Sequence, residues 1–292
     1  MSTQFDILSE IRCELGEGPV WDEKRAELIW FDINRHVMFI SSAEHPTLQA
    51  ISCGEPASAA FLTDTQDMLI ATASGLRRYD RDAEQFSAYL EIEADNPATR
   101  SNDSRTAPGN GLWFGTMGRG LEAEAGCIYH VRHKTLTPLY EKTSIPNATC
   151  FSPDGQTGYF ADTPKQAIFK VSLDPETGLP LSAPEIFVDL APEGLNPDGA
   201  VIDSEGRLWN AQWGAGRVAC YDTDGAFVTA IHLPAQQLTC PAFGGDGLKT
   251  LYVTSAFEGL SPDERRRNPE AGAVFAIEME VAGCPERRLT SL

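Results

Sequence analysis

The chain has 292 residues, of which 42% are hydrophobic and 22% charged, a composition typical of a folded globular protein and not of a disordered one. Its formal net charge is −19, from 23 basic and 42 acidic residues. A field of that sign repels phosphate backbones and anionic lipid, so the sequence argues against nucleic acid and membrane surfaces as partners and suits a cation or a neutral substrate.

The N-terminal segment has no basic stretch followed by an apolar run, so we expect no signal peptide. No stretch approaches the roughly 20 apolar residues that a membrane-spanning helix needs. The seven cysteines are scattered, odd in number and never paired as CxxC. This pattern indicates reduced thiols in a cytoplasmic protein and argues against a disulfide framework or a zinc–thiolate site.

An internal repeat runs along the whole chain. Six segments share an apolar or aromatic residue, a polar turn rich in Asp and Gly, and then a strand with an aromatic or β-branched core. These strands are marked by Trp30, Ile70, Trp113, Tyr159, Trp209 and Tyr252, which are 40, 43, 46, 50 and 43 residues apart. A period in the forties is typical of a propeller blade of four short antiparallel strands. The sequence therefore predicts an all-β fold, a six-bladed β-propeller that forms one domain over residues 1–292.

The remaining strands follow each marked strand in chain order. Third strands are predicted within 36–41, 75–80, 126–131, 167–172 and 217–222, and outer strands within 48–53 and 185–190. The segment 5–12 precedes the first repeat and 271–281 follows the last, so we expect pairing of the N- and C-terminal strands to close the ring and cover sheet edges. Two packed β-domains are the alternative, which the even repeat disfavours.

Four oxygen-bearing side chains occupy nearly the same phase of the repeat. Glu17, Asn102, Asn147 and Asp198 lie 13, 11, 12 and 11 residues before the marked strand residue of their blades. Each alone is compatible with an ordinary turn, but the first strand of a blade lines the channel, so together they predict a site there. Two carboxylates and two amides without histidine or cysteine suit a hard divalent cation, calcium first, with zinc, manganese or magnesium as alternatives.

The local contexts resemble the motifs of one known family. LGEGPVW at 15–21, RSND at 100–103, IPNA at 145–148, and NPDG at 196–199 followed by GRLWNAQWGAGRV at 206–218 are similar, in order, to those of the senescence marker protein/gluconolactonase/luciferin-regenerating-enzyme family, which includes regucalcin. The resemblance covers essentially the whole chain. It implies a six-bladed propeller with one divalent metal held by Glu17, Asn147 and Asp198, substrate contacts from Arg100 and Asn102, and a sugar lactone as substrate.

Some positions depart from the family pattern. Ser104 stands where members often have Gly, Ala107 stands where they often have Asp, and Gly118-Arg119-Gly120 stands where some relatives place an acidic substrate contact. We therefore expect an intact metal site beside an altered substrate-facing wall.

The leading hypothesis is metal-dependent hydrolysis of an aldonolactone to the sugar acid, with Asp198 as the general base. Two alternatives are hydrolysis of other esters or phosphotriesters at the same metal, and a calcium-binding or regulatory propeller without turnover. Trp30, Trp113 and Trp209 are predicted to pack between blades. Trp213 can lie nearer the channel, but we do not count it as a site residue.

Overall fold

The structure, a computed structural model, describes residues 4–42 and 48–290, and within them the strands form six four-stranded antiparallel sheets. We number the sheets as blades by their inner strands. The first three blades comprise β2 (Gly16–Asp22), β3 (Glu27–Asp32), β4 (Val37–Ser42) and β5 (Leu48–Ser52); β6 (Ala57–Leu62), β7 (Met68–Thr72), β8 (Gly75–Asp80) and β9 (Gln85–Glu91); and β10 (Thr99–Ala107), β11 (Gly111–Gly118), β12 (Gly126–Arg132) and β13 (Thr135–Thr143).

The other three blades complete the ring. They comprise β14 (Pro146–Phe151), β15 (Thr157–Asp162), β16 (Ala167–Ser172) and β17 (Glu185–Asp189); β18 (Asn196–Ile202), β19 (Leu208–Trp213), β20 (Arg217–Tyr221) and β21 (Phe227–His232); and β22 (Leu238–Gly244), β23 (Thr250–Ser255) and β24 (Phe275–Glu278) with β1 (Asp6–Ile7). Helical turns are short: the α-helix α1 (Pro262–Arg267) and 3₁₀ turns at Pro108–Asn110, Thr163–Lys165, Ala191–Glu193 and Asp246–Leu248.

The inner strands form a closed ring. Each of β2, β6, β10, β14, β18 and β22 contacts the inner strand of the next blade, and β22 contacts β2. Sheet six contains both ends of the fold, because β1 pairs with β24 through Asp6 opposite Ala276 and Ile7 opposite Phe275. The predicted six-bladed propeller and its closure by N- and C-terminal strands are therefore confirmed.

The core lies between the blades. Trp30 and Trp113 are completely buried and Trp209 is nearly so. The ring of Trp113 packs edge-on against Phe151 of the next blade, with 5.2 Å between centroids, and Trp209 meets Phe243 in the same way at 6.4 Å. These tryptophans pack between blades, as predicted.

A segment after β24 crosses one end of the channel, and we call residues 279–290 the C-terminal strap. Gly283 forms a bridge with Asp203 of blade five, and Leu289 forms one with Thr63 of blade two. Between them, Arg287 donates to the Ser152 carbonyl of blade four at 2.8 Å. Because these partners follow the inner strands, the strap covers the channel end where those strands finish. Sequence reasoning did not anticipate it.

Across the described ranges, no helix has the length and apolar character needed to cross a membrane.

Candidate functional site

Every inner strand is interrupted by a β-bulge, which lies at the start of the strand in blades two and six and further along it in the other four. The register against the second strand shifts between Glu17 and Val20, Ala57 and Ala59, Ser101 and Ser104, Asn147 and Cys150, Pro197 and Ala200, and Leu238 and Pro241. A bulge bends the strand and re-aims side chains that a regular pleat would send alternately to either face. Glu17 and Asn147 directly precede their bulges, whereas Asn102 and Asp198 lie within them.

The marked residues of the sequence repeat occupy different positions relative to these bulges. All six marked residues lie in second strands, as predicted. They do not share one ladder position: Trp113 pairs with Arg105, the second residue after the bulge, whereas Tyr159 pairs with Cys150, the first. Trp30 lies opposite the bulge itself. A marked residue therefore lies either opposite the bulge of its inner strand or opposite one of the first two residues after that bulge.

One cavity of about 150 Å³ is lined by all five predicted site residues, Glu17, Arg100, Asn102, Asn147 and Asp198. The side chains of Asn102, Asn147 and Asp198 are buried, and those of Glu17 and Arg100 are half-buried. All five belong to the first half of their inner strands. The cavity is therefore at the channel end opposite the C-terminal strap.

A hydrogen-bond relay orients the two amides. Arg100 Nη1 donates to Asn102 Oδ1 at 2.8 Å, and Asn102 Nδ2 donates to Asn147 Oδ1 at 3.1 Å. Asn147 Nδ2 donates to Thr163 Oγ1, which donates to the Pro197 carbonyl, both at 2.8 Å. Since the nitrogen end of Asn147 is bound to Thr163, its oxygen is turned toward Asn102 and keeps a second lone pair for a cation.

The two carboxylates are sparsely bonded. Glu17 Oε2 accepts from the Gly18 N–H at 2.9 Å and Asp198 Oδ1 accepts from the Gly199 N–H at 3.0 Å. Burial raises the pKa of Glu17 above its ordinary range, and the negative charge of Asp103 raises it further. The pKa of Asp198 is also raised, first by burial and then by the negative charge of Glu17. Carboxylates that share one cavity and whose pKa values are raised in this way favour a cation as their partner.

The donor chemistry fits a hard divalent ion. Calcium, magnesium and manganese accept carboxylate and amide oxygens as ligands. The predicted set contains two carboxylates, Glu17 and Asp198, and one amide, Asn147. In the described ranges, no three His, Cys, Asp or Glu side chains are grouped so that they alone can hold a metal ion. The candidate site therefore depends on the amide oxygen of Asn147.

Blades two and six contribute no ligand at the matching positions. Ser58 Oγ donates to the Asn102 carbonyl at 2.8 Å, so it ties two bulges together. Cys240 lies against Gly199, where an added Cβ would be 2.4 Å from the Cys240 sulfur. The channel is thus asymmetric in its chemistry although the blades are alike in backbone.

The positions that depart from the family pattern are not part of the cavity wall. Ser104 Oγ accepts from the Gly115 N–H at 3.1 Å and donates to the Asn102 carbonyl at 3.0 Å, so it stabilises the bulge. Ala107 is buried against Trp113. In the segment that ends β11 and turns toward β12, Leu121 lines the cavity, whereas residues 118–120 do not. Residues 104, 107 and 118–120 are therefore outside the described lining, and their effect on substrate contacts stays a prediction.

Sequence reasoning missed part of the cavity wall. Thr163, Trp213 and Glu258 also line it, together with the apolar side chains of Leu15, Met117, Leu121 and Ile145. The prediction considered only positions on inner strands, whereas Thr163, Trp213 and Glu258 lie at or beyond the end of second strands. The position of Trp213, close behind Trp209, was the available signal for one of them.

Gly18 gives the first bulge its geometry, and we expect Gly18→Ala to be strongly destabilising. Its φ is +55°, and an added Cβ would lie 1.9 Å from the Ser58 carbonyl oxygen. We predict a loss of about 3 kcal/mol or more in the free energy of unfolding, from strain plus overlap with fixed backbone. Gly54→Ala is the matched control, because Gly54 has φ +75° with nothing within 4 Å. Equal losses in urea denaturation of both variants would contradict the role of the contact.

Fold and site together define a class: β-propellers with an oxygen-ligand site on the bulged inner strands at one end of the channel. The chain belongs to the SMP-30/Gluconolactonase/LRE-like family, whose model matches residues 15–257. It is 34% identical to the L-arabinolactonase of Azospirillum brasilense over 98% of this chain and 95% of that protein. It is 31% identical to the 6-deoxy-6-sulfogluconolactonase of Pseudomonas putida over 93% of this chain and 94% of that protein.

A solved structure shows the same architecture. The calcium-binding protein regucalcin of Agrobacterium tumefaciens superposes with a TM-score of 0.97 and 39% sequence identity, covering 100% of this chain and 99% of that one.

Proposed function

We propose that this protein hydrolyses a sugar lactone to the corresponding sugar acid, with a divalent cation held by Glu17, Asn147 and Asp198. The observation that supports this best is one cavity in which three buried or half-buried oxygen ligands face Arg100 and Asn102. The lactonase names of relatives that match nearly the whole chain agree with this chemistry.

The reaction adds water to the lactone carbonyl carbon and breaks the ring ester bond. A bound divalent cation supplies Lewis acidity to the carbonyl and acidifies water. Asp198 accepts a proton from the attacking water, and the Gly199 N–H binds only one of its two oxygens, at 3.0 Å, so the other is available as the base. The proton ends on the former ring oxygen, which leaves as a hydroxyl. Arg100, with one N–H on Asn102, has further donors for the carbonyl or ring hydroxyls.

We predict that chelation abolishes turnover and that added metal restores it. Because the folded site binds the ion and the unfolded chain does not, metal at about 100 times its Kd should add about 2.7 kcal/mol to the free energy of unfolding. The measurement is lactone turnover and thermal unfolding after EDTA treatment and return of calcium, zinc, manganese or magnesium one at a time. We expect calcium to bind and to restore activity. Full activity in EDTA would overturn the metal-dependent mechanism.

The name of the Agrobacterium structure supports a second candidate, calcium binding without turnover. A panel of five- and six-membered sugar lactones, aryl esters and phosphotriesters separates the alternatives. Metal binding with no turnover on any substrate would favour a regulatory propeller, and fast aryl-ester hydrolysis with slow lactone opening would favour a broader esterase. The relatives act, by their names, on different sugars, so the panel and not the resemblance must identify the sugar.

The acidic surface and the scattered cysteines continue to predict a cytoplasmic protein whose partner is a small molecule and not nucleic acid or membrane.

A further inference from the structure

We propose that Glu258 determines specificity by accepting hydrogen bonds from hydroxyl groups of the lactone substrate, an inference that rests on the proposed function. Glu258 lines the same cavity as the predicted ligands and reaches it from the loop between β23 and α1 of blade six. It is the one carboxylate of the described cavity lining that an inner strand does not supply.

Glu258 is close enough to the site to act on its charges. Burial lowers the pKa of Arg100, and nearby carboxylates oppose this by favouring the charged guanidinium. Among these carboxylates Glu258 has the largest effect, ahead of Glu17. The charge of Glu258 also contributes to raising the pKa of Glu17. Its charge therefore acts on both Arg100 and Glu17 in the cavity that all three residues line.

The backbone around Glu258 is fixed from two sides. The N–H groups of Phe257 and Glu258 both donate to the Glu14 carbonyl, at 3.1 and 2.9 Å. Gln237 Nε2 donates to the Glu258 carbonyl at 3.0 Å. The Arg265 guanidinium covers the buried Phe257 ring at 3.7 Å from its centroid. A group held in this way loses little entropy when it binds a ligand.

The side chain is half satisfied. Asn34 Nδ2 donates to Glu258 Oε1 at 2.8 Å, and within the described ranges no hydrogen bond reaches Oε2. The residue is only partly exposed. An anchored carboxylate with one free oxygen can accept hydrogen bonds from sugar hydroxyls, which are strong because the acceptor is charged. The facing apolar side chains of Leu15, Leu121 and Trp213 offer no competing acceptor.

A pair of substrates isolates this contact. For Glu258→Gln we expect kcat/KM to fall about tenfold on a hydroxylated aldonolactone, mainly through KM, and to stay within about twofold on the unsubstituted lactone of the same ring size. Glu10→Gln is the control, because Glu10 is an exposed acidic residue outside the described cavity lining. It should leave both substrates unchanged.

Calorimetry gives a readout that does not need turnover. Binding of an unreactive sugar alcohol to the calcium-loaded protein should weaken about tenfold in Glu258→Gln, while calcium affinity changes by less than about twofold because Glu258 acts on Glu17 only through its charge. Equal losses on both lactones, or a large loss of calcium affinity, would overturn the proposal and make Glu258 an electrostatic or metal-binding group. If the wild-type protein opens no lactone, the proposed function fails, and the sugar-alcohol titration still tests Glu258.

Discussion

Replacing Asp198 with alanine should reduce lactone hydrolysis by about a thousandfold or more in kcat/KM while the propeller stays folded. The substitution removes a proposed metal ligand and the proposed base together, and a positioned base alone typically contributes 10²- to 10⁴-fold. The backbone of Asp198 is held independently of its carboxylate, because Asn210 Nδ2 donates to the Asp198 and Gly199 carbonyls at 2.8 and 3.1 Å. Turnover on the lactone that the wild type opens fastest is the measurement.

The stability of the same variant tests the electrostatic interpretation. The folded-state pKa of Asp198 lies above its unfolded value, so in metal-free protein its ionisation costs stability once the pH exceeds the unfolded value. In EDTA at neutral pH, Asp198→Ala should therefore unfold at a higher temperature than wild type, whereas in calcium it should lose the metal-dependent gain.

Asp224→Ala is the control, since Asp224 is an exposed aspartate in a turn of the same blade. It should behave like wild type in both buffers. An Asp198→Ala protein that hydrolyses the lactone at the wild-type rate would remove Asp198 from the mechanism.

The sequence predicted the architecture because every blade repeats the same local chemistry. Second strands with aromatic or β-branched residues and turns rich in Asp and Gly favour hairpins locally. In four blades the inner strand before the turn carries an oxygen-bearing side chain at nearly the same position of the repeat. Asn147 and Asp198 were found in this way, although Asn147 precedes its bulge and Asp198 lies in one.

What the sequence did not predict depends on contacts between distant segments. Glu258 reaches the cavity from the far end of a second strand, and Thr163 reaches it from a 3₁₀ turn. Neither occupies the repeat position from which the metal ligands were predicted. The C-terminal strap follows the last repeat, and contacts with other blades hold it: polar ones, as at Arg287, and apolar ones, as where Leu289 is buried in the cluster that contains Phe61.

The strap is the subject of the second large prediction. Arg105 Nη2 and Glu286 Oε2 are 2.8 Å apart, and each side chain is only 15% exposed. Burial opposes the charge of Arg105, but the carboxylates of Glu286 and Asp103 outweigh it, so the pKa of Arg105 lies above its ordinary value. We expect Glu286→Gln to lower the free energy of unfolding by about 2–4 kcal/mol, because it leaves a largely buried guanidinium with less counter-charge.

The control and the double variant separate the ion pair from the strap as a whole. Glu280→Gln, at an exposed position of the same strap, should change the free energy of unfolding by less than about 0.5 kcal/mol. Arg105→Met with Glu286→Leu should lose less stability than the sum of Arg105→Met and Glu286→Leu measured singly, since an apolar pair of similar volume needs no counter-charge. Urea denaturation of the calcium-loaded proteins is the measurement, and a double variant as unstable as the sum of the singles would show that the two residues do not act as a pair.

Arg105 also connects the strap to the site, and this gives the two single variants different signatures. Asp103, whose pKa burial raises to about 6, accepts from the Thr149 N–H at 2.7 Å and is stabilised as a carboxylate by Arg105. Arg105→Met removes that support, whereas Glu286→Gln leaves it. Both variants should therefore lose stability, but only Arg105→Met should change calcium affinity, because Asp103 adds to the charge beside Glu17 and Asp198.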